Sequence, residues 1–191
     1  MEYVYPITDM EKLNNMAKYL KDKSIRDFVI FELGINLGIR VTDFTKQTVG
    51  FYRTVCEKEC LEMIPSKTSR YKKKIRIPLQ KDLKVLIEKY IDGRDDSEPM
   101  FISRDKGGML GRQQINRIIK EAAEYAGVKE NVGCHSMRKT FGYWHYKNNR
   151  DIRTLMEIFN HSSEEVTLRY IGVTDEDIAK SMQCMNLGLD I

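Results

Sequence analysis

The amino-acid sequence predicts an α-rich mixed α+β domain, in which a helical body carries a small antiparallel sheet of three strands. Apolar residues recur at helical spacing over most of the chain, and this spacing gives way to short alternating runs between residues 49 and 79. The length of 191 residues, with 41% hydrophobic and 31% charged residues, suits one globular domain. No low-complexity tract, internal repeat or long linker divides the chain.

Four helix starts are predicted by a serine or threonine followed three residues later by an acid, since the hydroxyl can accept from N–H groups of the first turn. These pairs are Thr8 and Glu11, Ser24 and Asp27, Ser162 and Glu165, and Thr174 and Asp177. Apolar stripes that begin at Leu83, Ile115 and Leu155 predict three further helices. We expect two or three helices before the sheet and five or six after it.

Three strands are predicted at residues 51–56, 61–65 and 73–79. In the last of them Ile75, Ile77 and Leu79 alternate with polar residues and so lie on one face. Residues 93–99 and 105–111 are predicted to be loops because glycine, proline and acidic residues cluster there.

The sequence shows no sign of a membrane segment or a metal site. Its longest apolar stretch, residues 28–39, is too short to cross a bilayer and is interrupted by Glu32 and Asn36. The first ten residues carry acids rather than the basic start of a secretory signal. The four cysteines, Cys56, Cys60, Cys134 and Cys184, lack paired zinc-ligand spacing, and adding the histidines does not supply a second close pair. We expect a cytoplasmic protein with reduced thiols.

Positive charge is concentrated in one segment. Residues 66–81 hold seven lysines and arginines and no acid, whereas the rest of the chain holds 25 basic and 28 acidic residues. A basic segment on a nearly neutral body predicts contact with a polyanion. A solvated surface hairpin is the alternative.

Two short stretches in the second half of the chain carry candidate chemistry. His135 and Arg138 are three positions apart, so a helix would place a titratable group and a fixed cation on one face, toward one anion. His161 precedes a predicted helix and Tyr170 lies two turns into it, so both can face a shared cleft. Each residue also has a purely structural alternative. His135 could cap a helix, Arg138 could be a surface cation, and Tyr170 could belong to the core.

Upstream, Arg40 lies at a predicted turn after an apolar helix, and Lys67 lies at the predicted tip of the basic hairpin. Arg40 could instead form a surface pair with Asp43. Lys67 could be one more exposed lysine.

Taken together, these motifs resemble the catalytic domain of the tyrosine recombinases, the phage integrase family. The resembling stretches are G-I-R-V-T-D from Gly38, S-K-T from Ser66 before the basic strand I-R-I-P-L, H-S-M-R from His135, and H-S-S from His161 followed by T-L-R-Y-I. They occur in the family's order, with its nine-residue step from the second histidine to the tyrosine. The resemblance runs from about residue 8 to residue 180 and implies the tyrosine recombinase catalytic-domain fold.

The resemblance implies a site-specific DNA recombinase. Tyr170 would attack a DNA phosphate, forming a 3′-phosphotyrosyl link and releasing a 5′-hydroxyl. His135 would take part in proton transfer involving the tyrosine. Lys67 would protonate the leaving 5′-oxygen, helped by nearby positive charge that lowers the pKa of a lysine.

The same resemblance assigns the anion-binding residues. Arg40 and Arg138 would stabilise charge on the nonbridging oxygens, and His161 would donate a further hydrogen bond. Asp43 would hold the turn that presents Arg40. No metal and no cofactor are implied, because two arginines supply the charge neutralisation, and religation needs no ATP because the phosphotyrosyl bond conserves the energy of the broken bond. Asn160 departs from the family's usual glycine, but asparagine tolerates a left-handed backbone.

The implied partner is double-stranded DNA, contacted by the basic segment through Arg70, Lys72, Lys73, Lys74 and Arg76. We expect residues 1–191 to form a single catalytic domain without the family's N-terminal clamp domain, in the cytoplasm of a bacterium and from a mobile element or prophage. Recombinases of this kind act as tetramers on two DNA sites. The tail, residues 175–191, would pack on a neighbouring protomer or fold back on its own domain, in which case the isolated domain is a monomer.

Two other functions remain open at this stage. A type IB topoisomerase shares the tyrosine, arginines and lysine, but usually has a different residue at the position of His135. A noncatalytic DNA-binding factor would use residues 111–127 as a helix along the DNA backbone, but its site residues should be eroded, and here they are intact.

Overall fold

The computed structural model describes residues 3–66, 74–103 and 108–173, and these residues form a helical body with a small sheet at its edge. The first helices are α1 (Met10–Lys23), α2 (Ile25–Leu37), α3 (Val41–Phe44) and α4 (Val49–Lys58). The strands β1 (Cys60–Met63) and β2 (Ile75–Pro78) follow. The later helices are α5 (Lys81–Ile91), α6 (Arg112–Tyr125), α7 (Cys134–Asn149), α8 (Ile152–Phe159) and α9 (Glu164–Ile171).

The main core is built around α2, which contacts α1, α5, α6 and α7. This helix is apolar around most of its circumference, as expected of a helix enclosed by others, and its buried residues include Val29, Phe31, Leu33 and Leu37. A second, smaller apolar cluster lies between α8 and α9 and contains Leu155, Phe159 and Ile171. Helices α8 and α9 both pack against α7, which therefore joins the two clusters.

The sheet has two strands in the described part of the chain. Two of the three predicted strands are therefore present, and the third prediction is wrong. The strands predicted at residues 61–65 and 73–79 correspond to β1 (Cys60–Met63) and β2 (Ile75–Pro78), which pair in antiparallel fashion with Leu61 opposite Ile77. Ile75, Ile77 and Leu79 are buried, as their alternation predicts.

The predicted strand at residues 51–56 is instead part of helix α4. The hydroxyl oxygen of Thr48 accepts a hydrogen bond from the Phe51 N–H at 3.3 Å, which caps the helix. Val49, Tyr52 and Val55 recur at helical spacing and are all buried. Aromatic and β-branched residues favour a strand locally, but burial of one helical face and the cap decide the structure.

Three of the four predicted helix starts are confirmed to within two residues. Asp9 rather than Thr8 caps α1, and its carboxylate accepts from two N–H groups of the first turn. Ser24 precedes α2, and Ser163 rather than Ser162 caps α9 through the Val166 N–H. The pair Thr174 and Asp177 lies outside the described residues. The helices predicted from Leu83, Ile115 and Leu155 are α5, α6 and α8.

The segment before α1 is fastened across α7. The Ile7 N–H donates to the Thr140 hydroxyl at 2.8 Å, and the Trp144 indole N–H donates to the Ile7 carbonyl at 3.0 Å. The Tyr5 N–H donates to the Asn131 carbonyl at 2.9 Å. These bonds bring Tyr3 to the N-terminal half of α7. Of the helices in the described part of the chain, none has the length and apolar character that a bilayer crossing requires.

Helices α7 and α9 approach closely because residue 142 is glycine. A methyl group on Gly142 would lie 2.5 Å from Ile171 Cγ2 and 2.8 Å from Phe159 Cζ. Both neighbours are buried in the second apolar cluster, so neither can move away freely. The absence of a side chain at Gly142 thus sets how near α9 comes to α7.

We therefore expect Gly142→Ala to lower the free energy of unfolding by about 1–2 kcal/mol, measured by urea denaturation. The added methyl would lie within 3.0 Å of two buried side chains, so the overpacking cost should fall at the upper end of the usual range of about 1–3 kcal/mol, and the gain of about 1 kcal/mol that alanine brings to a helix interior offsets only part of it. Gly108→Ala is the matched control, since a methyl there meets nothing within 4 Å, and it should change stability by less than about 0.5 kcal/mol. A Gly142→Ala protein as stable as the wild type would contradict this packing account.

Candidate active site

Five of the six predicted catalytic residues line one open cleft of about 950 Å³. These are Arg40, His135, Arg138, His161 and Tyr170. The sixth, Lys67, lies outside the described residues. The cleft also contacts the N-terminal part of α6 and the segment that contains Tyr3. The described residues that line it include no aspartate or glutamate, so the cleft is strongly cationic.

Arg40 is presented by the turn that ends α2. Gly38 adopts the left-handed conformation there, with φ of 61°, and Arg40 becomes the N-cap residue of α3. The buried residues Ile39 and Val41 flank Arg40 and fix the turn in the core. The Arg40 guanidinium lies 3.8 Å from Asp43 Oδ2, a long ion pair that leaves most of its donors for another anion.

Arg138 is buried in the floor of the cleft and holds the same turn. It is 4% exposed, and its Nη1 donates to the Gly38 carbonyl at 2.5 Å. The guanidinium carbon lies 4.3 Å from the centre of the Phe159 ring. Desolvation, together with the charge of Arg40, lowers the pKa of Arg138 to about 10. No carboxylate among the described residues forms an ion pair with it, so an anion from outside the protein would complete its environment.

Tyr170 lies near the end of α9, where its ring packs edge-on against Phe159 and His161 at centroid distances of 5.3 and 5.1 Å. Burial raises the pKa of the Tyr170 hydroxyl, and the nearby charges of Arg138 and Arg40 lower it only in part. The hydroxyl is therefore protonated at neutral pH in the protein without DNA, and a base must accept its proton before Tyr170 can act as a nucleophile.

His161 is held by the turn between α8 and α9. Asn160 has φ of 54°, which confirms that asparagine takes the left-handed conformation at the position where the family usually has glycine. His161 Nδ1 lies 3.2 Å from the Thr167 hydroxyl oxygen, and that hydroxyl donates to the Ser163 carbonyl at 2.9 Å. Because a hydroxyl has one hydrogen, Nδ1 must carry the proton and donate to Thr167.

The protonation state of His161 follows from its surroundings. Desolvation, then Arg138 and Arg40, lower the pKa of His161, so the ring is neutral at pH 7. With the proton on Nδ1, its Nε2 holds a lone pair. An anion bound in the cleft would raise the pKa of His161 and allow Nε2 to take up a proton and donate it in a hydrogen bond.

Asp43 links the Arg40 turn to the basic segment. Its side chain is buried, and Oδ1 accepts from the Ser66 hydroxyl at 2.6 Å and the Ser66 N–H at 3.3 Å. Oδ2 faces Arg40 at 3.8 Å and has no hydrogen-bond partner. Ser66 immediately precedes Lys67. The carboxylate therefore fixes the start of the basic segment beside the arginine, in addition to bracing the turn.

Two of the five predicted DNA-binding residues are described. Lys74 and Arg76 both pair with Glu62 on β1, at 2.5 and 2.9 Å, and hydrogen bonding from Lys74 lowers the pKa of Glu62. An acid from the neighbouring strand thus partly neutralises a segment that contains none of its own. Arg70, Lys72 and Lys73 lie outside the described residues.

Among the residues of the site that were not predicted from the sequence, two bear most directly on its chemistry. Lys139 lines the cleft beside Arg138, and Thr167 orients His161. Consecutive helix residues point in different directions, so the helical pattern alone does not predict that Lys139 and Arg138 share a cleft. The position of Thr167, four residues after the Ser163 carbonyl that it bonds, was the available signal for a hydroxyl facing back toward His161.

Residues 6–177 match the sequence profile described as "Phage integrase family". The chain is 38% identical over 181 residues to the "Probable integrase/recombinase YoeC" of Bacillus subtilis (strain 168), covering 95% of this chain and 96% of that protein. It is 28% identical over 158 residues to the "Tyrosine recombinase XerC" of Thermodesulfovibrio yellowstonii, covering 78% of this chain but 50% of that protein. The chain therefore spans about half the length of the XerC relative.

Solved structures share the fold. The XerA recombinase crystal structure superposes with a TM-score of 0.75 at 17% identity, covering 97% of this chain and 66% of that one. The Tn1549 transposon integrase in complex with transposon right end DNA gives a TM-score of 0.69 at 13% identity, with 96% and 66% covered. The catalytic domain of bacteriophage HP1 integrase gives 0.61 at 15% identity, with 97% of each chain covered. These similarities confirm the predicted fold class.

We expect Thr167→Val to release the imidazole of His161 from its present tautomer, because valine removes the acceptor of the Nδ1 proton. Nitrogen-15 NMR of the neutral ring should show the Nδ1–H form in the wild type and a substantial Nε2–H population in the variant. The lost hydrogen bond should cost about 1 kcal/mol of stability.

Thr54→Val is the matched control, since the Thr54 hydroxyl makes the same helical bond, to the Gly50 carbonyl at 3.1 Å, on the exposed face of α4. It should leave the His161 spectrum unchanged. An unaltered tautomer in Thr167→Val would refute the role assigned to Thr167.

Proposed function

The chain belongs to the phage integrase family, and we propose that it is a site-specific DNA recombinase that cleaves and rejoins double-stranded DNA through a 3′-phosphotyrosyl link on Tyr170. One observation carries the proposal: a half-buried tyrosine, two arginines and two histidines line a single cleft that contains no carboxylate among its described residues. Such a cleft is built for a phosphodiester.

Binding of the scissile phosphate would supply the anion that Arg138 and Arg40 lack. Their planar guanidinium groups would contact the two nonbridging oxygens, where negative charge increases in the transition state. Because Arg138 is fixed by Gly38 before DNA binds, little reorganisation is needed. Two arginines supply the charge neutralisation here, and the proposed reaction uses neither a metal nor ATP.

The protons can be followed through the first step. The Tyr170 hydroxyl gives its proton to His135 or to water held by it, and the phenolate oxygen attacks phosphorus while the bond to the 5′-oxygen breaks. His161, protonated on Nε2 once the phosphate is bound, donates to a nonbridging oxygen. Lys67 gives a proton to the leaving 5′-oxygen. The contact between Asp43 and Ser66 supports this assignment, because it fixes the residue before Lys67 next to Arg40.

The second step reverses the first with a new 5′-hydroxyl as the nucleophile, so the phosphotyrosyl bond supplies the energy of religation. Relatives named integrases and recombinases favour exchange of strands over simple relaxation of DNA and over a noncatalytic role.

We propose further that residues 1–191 act as one catalytic domain, in the bacterial cytoplasm, and that tetramers assemble on two DNA sites. The tail, residues 175–191, would then contact a neighbouring protomer.

DNA contacts outside the cleft would come from the basic segment, including Arg70, Lys72, Lys73, Lys74 and Arg76. Since Lys74 and Arg76 pair with Glu62, DNA phosphates must compete with this carboxylate. Contacts made mainly to phosphates give affinity that falls steeply with salt.

Tyr170→Phe should abolish covalent capture of DNA while DNA affinity stays within about twofold, because the hydroxyl is the nucleophile and contributes little to binding the phosphate. The assay incubates the protein with nicked duplexes from the DNA that flanks its own gene and detects an adduct that resists detergent.

Tyr3→Phe is the control, since Tyr3 is the other tyrosine among the described residues that line the cleft, and it should retain adduct formation. An adduct that survives in Tyr170→Phe would assign the nucleophile to another residue. A wild type that binds these duplexes but forms no adduct would contradict the proposed activity.

Lys67→Ala should slow cleavage of ordinary DNA by about 10²–10⁴-fold and spare a substrate with sulfur at the 5′ bridging position, because a thiolate leaves without a proton. Rates of adduct formation on the two substrates give the comparison. The control is Lys74→Ala, whose effect should be equal on both substrates because Lys74, which pairs with Glu62, is proposed to contact DNA phosphates and not to protonate the leaving oxygen. An equal loss on both substrates in Lys67→Ala would remove Lys67 as the acid.

A further inference from the structure

Lys139 is a buried cation of the active-site cleft that the steps above do not use. It follows Arg138 on α7, lines the cleft with Arg40 and Tyr170, and is 5% exposed. A lysine this buried normally pairs with a carboxylate, because removing an ammonium group from water is costly.

The contacts of Lys139 are with aromatic rings. Its Nζ lies 3.5 Å from the centre of the Tyr3 ring and 5.2 Å from the centre of the Tyr170 ring. Cation–π attraction offsets part of the desolvation cost. In residues 3–66, 74–103 and 108–173, no carboxylate forms an ion pair with Lys139.

Other lysines of the chain show how unusual this arrangement is. Lys23, Lys74 and Lys84 each pair with a glutamate. Lys147, on the same helix as Lys139, also lies over aromatic rings, at 4.7 Å from the centre of Trp144, but it is exposed to water. Among these lysines, Lys139 alone is buried and without an anion, and it faces the cleft in which DNA would bind.

We propose that Lys139 is a further phosphate-binding residue of the active site, contacting either the scissile phosphate or a phosphate next to it. In the protein without DNA, the Tyr3 ring holds the ammonium group. When DNA fills the cleft, a phosphate oxygen replaces the ring as its partner. A desolvated ammonium group binds a phosphate oxygen as a compact point charge, which complements the planar forks of Arg40 and Arg138. This inference rests on the proposed function.

The first test compares cleavage rates on the nicked duplexes. Lys139→Met should slow adduct formation by about 10- to 100-fold, the loss expected for one charge-assisted hydrogen bond. Lys139→Arg keeps the charge and should recover most of the rate. Lys147→Met, the matched control on α7, should cleave like the wild type.

Neutral methylphosphonates then identify the phosphate. Placed at the contacted position, a methylphosphonate removes the charge that Lys139 binds, so the wild type and Lys139→Met should cleave that substrate at equal rates. If the two proteins cleave at equal rates when the methylphosphonate is at the scissile position, Lys139 contacts the scissile phosphate. If the rates are equal when it is at a flanking position, Lys139 contacts that flanking phosphate. A Lys139→Met defect of the same size on every substrate indicates a structural role and overturns the inference, as does an absence of any defect.

Two further measurements, the melting temperature and the salt dependence of DNA affinity, test the role of Lys139 without relying on cleavage and show whether Lys139→Met is folded. Lys139→Met removes a buried charge, so its melting temperature should equal or exceed that of the wild type. Its DNA affinity should also depend less on salt, the slope of log K against log salt falling by about 0.9 for one lost phosphate contact. An unchanged slope overturns the inference even if the wild type does not cleave, whereas a wild type without cleavage contradicts only the proposed activity.

Discussion

The site depends on the hydrogen bond from Arg138 to the Gly38 carbonyl. This bond joins α7, which carries His135, Arg138 and Lys139, to the turn that carries Arg40. Gly38 is the left-handed residue that ends α2, and α7 packs against α2, so the Gly38 carbonyl lies within reach of Arg138. Since both helices belong to the main core, the spacing of the two arginines is set by core packing rather than by surface loops.

The cost of this arrangement is a concentration of positive charge inside the protein. Arg138 and Lys139 are both buried without a carboxylate partner in the described part of the chain, and Asp43, the nearby acid, is engaged by Ser66. The main core supplies the stability that tolerates such a site. For the proposed phosphate ligand, these cations would already be desolvated and oriented, which is the condition under which electrostatic stabilisation is strongest.

Much of this site could be predicted from the sequence because its residues lie in short motifs with fixed spacing. The arginine turn, the H-x-x-R pair and the tyrosine helix each follow from local patterns and from the family resemblance. Helix α4 was mistaken for a strand because its aromatic and β-branched residues favour extended structure, and tertiary burial overrides that preference. Lys139 could not be found because its role depends on the Tyr3 segment, which is distant in the sequence. Thr167 offered only the local signal of its spacing from Ser163, and its contact with His161 depends on the conformation of the α8–α9 turn.

Phe159 connects the small apolar cluster to the chemistry. Its ring lies against the Arg138 guanidinium, the Tyr170 ring and the His161 ring, and it also meets α7 at Gly142. One hydrocarbon side chain thus forms a wall shared by Tyr170, the proposed nucleophile, and the charged and polar groups around it. A genetic screen for lost recombination would therefore recover Phe159 beside the polar residues, although it transfers no proton. Over evolutionary time, this position should vary together with Gly142 and Ile171 rather than independently of them.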